Sequence, residues 1–131
     1  MKTTPYIADI LSQPAALQQA LGDLDLSALA PLRRQIAEGQ IDRILITGMG
    51  ASLHGTYPAW SCLANAGLPA YWVDAAELIY YAQGLITPKT LLWVISQSGR
   101  SAELLHLLAP GTLPRPKMLF ALTNDLSSPL A

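Results

Sequence analysis

The sequence predicts an α/β fold, a three-layer α-β-α sandwich in which helices cover both faces of a parallel β-sheet. Two observations support this prediction. First, short segments that are apolar throughout alternate with segments whose apolar residues recur at helical spacing, and fully apolar strands are typical of parallel sheets that are buried on both sides. Second, the chain has 131 residues, of which 51% are hydrophobic and 13% charged, which is enough for one domain with its own core.

The first 40 residues are predicted to form helices. Apolar residues recur at helical spacing up to position 21, but Pro14 interrupts them. We therefore expect one helix to end near Ser12 and a second to carry the proline in its first turn. Another helix is predicted from about Ser27 to Glu38, with Gly39 as its stop. This leader is expected to pack on the domain that follows.

From residue 41 onward the pattern changes to strands that alternate with helices. Four apolar runs are predicted as strands: residues 44–47, 70–73, 91–95 and 118–122. Helical spacing follows the first three of them. The sequence thus divides into a helical leader, residues 1–40, and an α/β domain, residues 41–131, which stops just after its fourth strand.

Composition excludes several classes of function. The formal net charge of −1 provides no basic field for nucleic acid. Apolar runs stay shorter than the roughly 18 residues that a membrane span needs. A single cysteine, Cys62, forms neither a disulfide framework nor a metal site. We expect a cytoplasmic protein without a metal or other cofactor, and with no nucleic-acid or membrane partner. The low charge and three tryptophans indicate an apolar surface that a partner subunit covers.

The loop after the first predicted strand is a candidate anion site. Ligands of open parallel sheets bind beyond the carboxyl ends of the strands. Gly48 and Gly50 allow the backbone to turn sharply and to approach a ligand closely. Ser52 follows at the start of the next predicted helix, where free backbone N–H groups favour an anion.

The loop after the third predicted strand is richer in hydroxyl groups. It supplies three hydroxyls, one amide and one flexible glycine: Ser96, Ser98, Ser101, Gln97 and Gly99. Such neutral donors suit a phosphate monoester that binds reversibly. Arg100 either adds charge or points to solvent. An alternative stays open, in which the serines only cap helices and form turns, with Glu103 as the partner of Ser98 or Ser101 in a capping box.

Other motifs that bind cofactors or carry out catalysis fit less well. A dinucleotide fingerprint needs a third glycine where Leu53 stands, although Asp74 would suit a ribose hydroxyl. A nucleophile elbow needs glycines at the positions of Ser96 and Arg100. The two histidines fall on separate predicted helices, with no carboxylate or cysteine at the spacing of metal ligands.

Three segments resemble the sugar isomerase (SIS) domain family, which has a flavodoxin-like fold. They are residues 44–55 (ILITGMGASLHG), 92–104 (LWVISQSGRSAEL) and 121–131 (ALTNDLSSPLA). The leader fits as well, since residues 10–14 (ILSQP) resemble the helix that opens the isomerase half of glucosamine-fructose-6-phosphate aminotransferase. The resemblance covers nearly the whole chain, and the Ser-Gln-Ser-Gly element is its most specific part.

The resemblance implies a first SIS half of a phosphosugar isomerase or deglycase. It implies that the phosphate of a sugar such as fructose 6-phosphate or glucosamine 6-phosphate is held by five residues: Ser52, Ser96, Gln97, Ser98 and Ser101. Two residues depart from the family pattern, because Arg100 stands where glutamate is usual and Ala51 where threonine is frequent. In such isomerases the catalytic glutamate, histidine and lysine come from a second SIS half, so no catalytic residue is assigned in this chain.

Three functions follow as hypotheses. The chain is the phosphate-anchoring half of an aldose–ketose isomerase or deglycase and has no turnover by itself. Alternatively, it is a regulatory module that senses a phosphosugar without chemistry. In the third hypothesis it is a dimerisation domain with vestigial loops. A homodimer or pairing with a second SIS half is expected, because the edge of a four-stranded sheet needs cover.

Overall fold

The structure is a computed structural model that describes residues 4–22 and 26–131. It contains two compact units, Met1–Arg34 and Gln35–Ala131. The division that the sequence suggests, after residue 40, stays a prediction, as does the packing of the leader on the domain. No helix in the described part of the chain is long and apolar enough to cross a membrane.

The first unit contains helix α1, Pro5–Gly22, and the start of helix α2, Ala30–Ala37. The prediction that Pro14 separates two helices is wrong, because the proline lies inside α1. Proline removes one backbone donor, whereas the alanine, leucine and glutamine residues that follow it are strong helix formers and continue the helix. The helix predicted from about Ser27 to Glu38 is confirmed. It begins with a 3₁₀ turn, Ser27–Leu29, and continues directly as α2.

The second unit is built on a parallel sheet of four strands, as predicted. The strands are β1 (Arg43–Gly48), β2 (Ala70–Asp74), β3 (Thr90–Ile95) and β4 (Met118–Leu122). Their order in the sheet is β2-β1-β3-β4, and each neighbouring pair is parallel. The predicted runs match these strands to within one residue at each end.

Four α-helices, together with a 3₁₀ turn at Gln83–Leu85, connect the strands. They are α3 (Gly50–His54), α4 (Tyr57–Asn65), α5 (Ala75–Tyr80) and α6 (Ala102–Leu108). Asp74 caps α5, because its carboxylate accepts a hydrogen bond of 2.9 Å from the backbone N–H of Ala76. This contact gives Asp74 a structural role at the end of β2.

The hydrophobic core lies between one face of the sheet and helices α5 and α6. Leu45, Leu92 and Val94 point to this face and pack with Leu78 of α5 and Leu104 of α6. All five side chains are at most 2% exposed. Their burial provides the largest share of the stability of the domain.

The opposite face of the sheet carries α3 and α4. Trp72 of β2 points to this face, and its ring N–H donates to the carbonyl of Leu53 and to the hydroxyl of Thr56, each at 3.1 Å. Trp60 of α4 donates to the carbonyl of Ala70 at 3.0 Å. These bonds fix the helices that follow β1 against β2.

The strand order creates a crevice at the carboxyl ends of β1 and β3. From β1 the chain crosses to β2 on one side, and from β3 it crosses to β4 on the other side. Connections that leave two neighbouring strands in opposite directions open a gap between their loops, where ligands bind in sheets of this kind. The two loops that the sequence singled out follow these two strands.

Candidate functional site

A cleft of about 350 Å³ lies at the carboxyl end of the sheet. It is lined by residues of the loops after β1, β3 and β4, all of them uncharged: Ala51, Ser52, Gly55, Thr56, Ile95, Gln97, Leu122, Thr123 and Asn124. The volume lies in the range of small-ligand sites. The cleft therefore offers hydroxyl and amide groups to a ligand.

Two glycines shape the loop between β1 and α3. A Cβ atom at Gly48 would lie 2.8 Å from the carbonyl oxygen of Ile95, so a side chain there would push β1 and β3 apart. Gly50 has a φ of +49° and starts α3, a conformation that glycine adopts without strain. Together they bring Ser52, in the first turn of α3, to the cleft.

A direct hydrogen bond joins the two predicted phosphate loops. The backbone N–H of Gln97 donates to the hydroxyl oxygen of Ser52 over 3.3 Å. Both residues line the cleft. The structure thus brings together residues that are 45 positions apart in the sequence.

Ser96 and Ser101 lie together inside the loop after β3. Ser96 is only 2% exposed, and its hydroxyl accepts a bond from the N–H of Gly99 at 3.1 Å. The hydroxyls of Ser96 and Ser101 are 3.1 Å apart and share a hydrogen bond. Ser101 occupies the N-cap position of α6, but its side chain makes no capping bond. The capping role considered for it is therefore wrong, because its hydroxyl is bonded to Ser96.

Ser98 lies at the exposed tip of the same loop. Its hydroxyl accepts a bond of 3.3 Å from the backbone N–H of Arg100. This contact is a local turn of the kind that serine favours. Ser98 is thus a turn residue whose hydroxyl is also open to solvent.

Gly99 is buried in this loop against the segment that follows β4. Its φ of +62° is one that side chains disfavour. A Cβ atom there would lie 2.0 Å from the hydroxyl oxygen of Ser128 and 3.0 Å from that of Thr123. The Ser128 hydroxyl is itself buried, and no described residue forms a hydrogen bond with it. Glycine is therefore required at position 99 for two independent reasons.

Thr56, Thr123 and Asn124 also line the cleft, although no sequence pattern had placed them in the site. The hydroxyl of Thr123 and the backbone N–H of Asn124 both donate to the carbonyl of Gln97, at 3.3 and 3.1 Å. These bonds fix the loop after β4 against the loop after β3. The polar run after β4 was visible in the sequence, but its meeting with Gln97 depends on the pairing of β3 with β4.

An ion pair connects the same two loops. Arg100 Nη2 lies 3.2 Å from Asp125 Oδ2, with the two side chains 56% and 37% exposed. The second carboxylate oxygen of Asp125 accepts bonds from the N–H and the hydroxyl of Ser127, at 2.9 and 2.6 Å. Hydrogen bonds from Ser127, followed by the contact with Arg100, hold the pKa of Asp125 below its ordinary value. The sequence left two alternatives for Arg100, a charge that contributes to ligand binding or a side chain that points to solvent. In the structure its guanidinium contacts the carboxylate of Asp125.

The described residues contain no group of three or more histidine, cysteine, aspartate or glutamate side chains placed to hold a metal ion. The lining of the cleft contains no titratable side chain either. The cleft itself is thus equipped for binding by neutral donors.

The chain is similar to sugar-phosphate isomerases. No protein-family model matches it. The arabinose 5-phosphate isomerase KpsF of Escherichia coli is 33% identical over 138 aligned positions, which cover 97% of this chain and 40% of the relative. The KdsD arabinose 5-phosphate isomerase of Pseudomonas aeruginosa is 34% identical over 68% of this chain and 27% of the relative. The chain thus spans about 40% of the length of the first of these curated relatives.

Solved structures share the fold. A protein of Escherichia coli in complex with arabinose 5-phosphate superposes with a TM-score of 0.71 and 25% identity, over 100% of this chain and 70% of that one. The C-terminal domain of glucosamine-fructose-6-phosphate aminotransferase from Francisella tularensis has a TM-score of 0.71 and 23% identity, over 92% of this chain and 34% of that one. The fold, the two serine loops at the strand ends and these similarities lead to one assignment: the chain belongs to the sugar isomerase (SIS) domain family.

Proposed function

We propose that the chain binds a sugar phosphate in the cleft between the loops after β1 and β3. The observation that carries this proposal is the hydrogen bond between Ser52 and Gln97. It ties together the two loops that the sequence selected independently as anion sites. The hydroxyl of Ser52 and the side-chain amide of Gln97, which line the cleft, then bind the phosphate. The hydroxyls of Ser98 and Ser101, which belong to the same loop as Gln97 but not to the lining of the cleft, complete the proposed set of phosphate ligands.

Ser96 has a supporting part in this proposal. Its hydroxyl is buried and bonds to Gly99 and Ser101, so it holds the loop in shape and orients the Ser101 hydroxyl. Gly48 and Gly99 allow neighbouring segments of the protein to pack closely, and Gly50 starts α3 at a positive φ. These glycines thereby shape the two loops of the proposed phosphate site.

The sugar occupies the part of the cleft formed by Thr56, Thr123 and Asn124. The side-chain amide of Asn124 lines the cleft and can bond to the hydroxyl groups of a sugar. The hydroxyls of Thr56 and Thr123 already donate to the carbonyls of Leu53 and Gln97, so towards the sugar they can act only as acceptors. Candidate ligands are arabinose 5-phosphate, which the relatives' name indicates, and fructose 6-phosphate and glucosamine 6-phosphate, which the sequence resemblance implies.

The parent protein is proposed to be an aldose–ketose isomerase or a deglycase that acts on such a sugar phosphate. Proton transfer between C1 and C2 requires an acid–base group, and the lining of this cleft has none. A second SIS half or a second copy of the chain would supply that group, while the phosphate anchor positions the reacting carbons. The cytoplasm stays the predicted compartment.

The proposal is tested by calorimetric titration of the chain with the three sugar phosphates and, as a control ligand, with unphosphorylated fructose. Binding that requires the phosphate supports the proposal. The variant Ser52→Ala should weaken this binding about tenfold, because one hydrogen bond to a charged group is lost. The matched variant Ser61→Ala, on α4 and outside the lining, should bind like the wild type. A folded wild-type chain that binds none of the sugar phosphates would refute the proposal.

A binding module without chemistry is the second candidate. The uncharged lining of the cleft favours it, because binding needs only the donors that are present. An interconversion assay, in which the pure chain is incubated with each sugar phosphate, separates the candidates. Turnover by the chain alone would exclude the binding-only function.

A further inference from the structure

The Arg100–Asp125 ion pair lies directly beside the cleft. Arg100 belongs to the loop after β3, where its backbone N–H donates to the hydroxyl of Ser98. Asp125 follows Asn124, which lines the cleft. The pair therefore joins two of the loops that form the cleft, while every residue of the lining is uncharged.

The position of the Asp125 carboxylate is fixed by two sets of contacts. One oxygen accepts the N–H and hydroxyl of Ser127, and the other contacts the guanidinium of Arg100. The carboxylate thus cannot follow Arg100 towards the cleft without breaking the turn at Ser127. Arg100 must leave Asp125 if it is to reach a bound anion.

We infer that Asp125 is a specificity-determining residue of the cleft: it retains the Arg100 guanidinium and so leaves ligand selection to neutral hydroxyl and amide donors. This inference rests on the proposed binding of a sugar phosphate. A free arginine binds phosphate and other oxyanions in a bidentate manner, and would favour inorganic phosphate as well as the sugar ester. The paired arginine keeps the net charge beside the cleft near zero, and the fit of the sugar then decides affinity.

The test compares arabinose 5-phosphate with inorganic phosphate in calorimetric titrations at low and high salt. The variant Asp125→Asn keeps an oxygen acceptor for Ser127 but removes the charge. It should bind inorganic phosphate about fivefold more tightly at low salt, and this gain should shrink at high salt because screening weakens it. The preference for the sugar phosphate over inorganic phosphate should fall accordingly.

Removal of Arg100 provides the opposite perturbation. Arg100→Gln leaves the Asp125 carboxylate unpaired, so both anions should bind more weakly at low salt and regain wild-type affinity at high salt. The double variant, Arg100→Gln with Asp125→Asn, should bind both anions like the wild type at low and at high salt. The control Ser61→Ala lies on α4 outside the lining and touches neither partner of the ion pair, so it should leave the preference between the two anions unchanged.

Two results would overturn the inference while the proposed function stands. In the first, the wild type binds sugar phosphate, and the Asp125→Asn variant binds both anions with the same affinity and the same salt dependence as the wild type. The other is an Arg100→Gln variant, alone or combined with Asp125→Asn, that stays weak at high salt, since Arg100 would then contact the phosphate itself. If circular dichroism shows that Asp125→Asn does not fold, the salt dependence of binding by Arg100→Gln decides whether the inference holds. Failure of the wild type to bind either anion would overturn both proposals.

Discussion

Substitution of Gly99 by alanine should strongly destabilise the domain. The residue has a φ of +62°, and an L side chain in this left-handed region costs roughly 1–2 kcal/mol. The added Cβ would also lie 2.0 Å from the hydroxyl oxygen and 2.5 Å from the Cβ of Ser128, which is buried. Overpacking of this kind costs about 1–3 kcal/mol. The two contributions add to about 2–5 kcal/mol, out of the roughly 5–15 kcal/mol that hold a domain folded.

Urea denaturation, followed by circular dichroism, measures this loss. Gly67→Ala is the matched control, because Gly67 has a φ of +76° and nothing lies within 4 Å of its added Cβ; it should lose only the conformational part, about 1–2 kcal/mol. Adding Ser128→Gly to Gly99→Ala should recover the steric part. If Gly99→Ala and Gly67→Ala lost the same free energy of unfolding, the reasoning about the contact with Ser128 would be refuted.

Three further predictions concern other contacts of the domain. Ser96→Ala should lower the free energy of unfolding by about 1–3 kcal/mol, because it removes two hydrogen bonds of a buried hydroxyl; an unchanged urea midpoint would contradict this. Asp74→Ala should cost about 1 kcal/mol through loss of the cap on α5, whereas Asp74→Asn should melt like the wild type. Hydrogen bonds from Ser127, and then Arg100, lower the pKa of Asp125. Its stabilising effect is therefore complete above the ordinary aspartate pKa and is lost as the pH falls through the lowered value. Melting curves from about pH 7 to pH 2 should show the wild type converging on Asp125→Asn, and a constant difference would argue against it.

The central strands β1 and β3 were predictable because their burial on both faces leaves a clear mark in the sequence. A run such as residues 91–95 is apolar throughout, and it lies within β3, Thr90–Ile95. Pro14 shows where local signals fail. The helix continues through Pro14 although the ring removes one backbone donor, and the residues around the proline do not reveal this outcome.

The site was predictable down to its loops but not to the direction of each side chain. Ser52, Gln97 and the glycines could be selected because glycine and serine at strand ends have a direct physical meaning. The burial of Ser96 under the loop, and the contact of Thr123 with Gln97, depend on the pairing of β3 with β4. Strand order is a long-range property, which periodicity does not encode.

The strand order also affects how the chain is exposed while it is being synthesised. β1 is completed at Gly48, and one of its edges pairs with β2, which ends at Asp74. The other edge pairs with β3, so it must stay unpaired until the ribosome has released residues 90–95. During this interval β1, with its apolar residues 44–46, presents free backbone groups, which is the condition under which nascent chains associate wrongly or recruit chaperones. Ser52 and Gln97 meet only after that step, so the cleft cannot form until the centre of the sheet is complete.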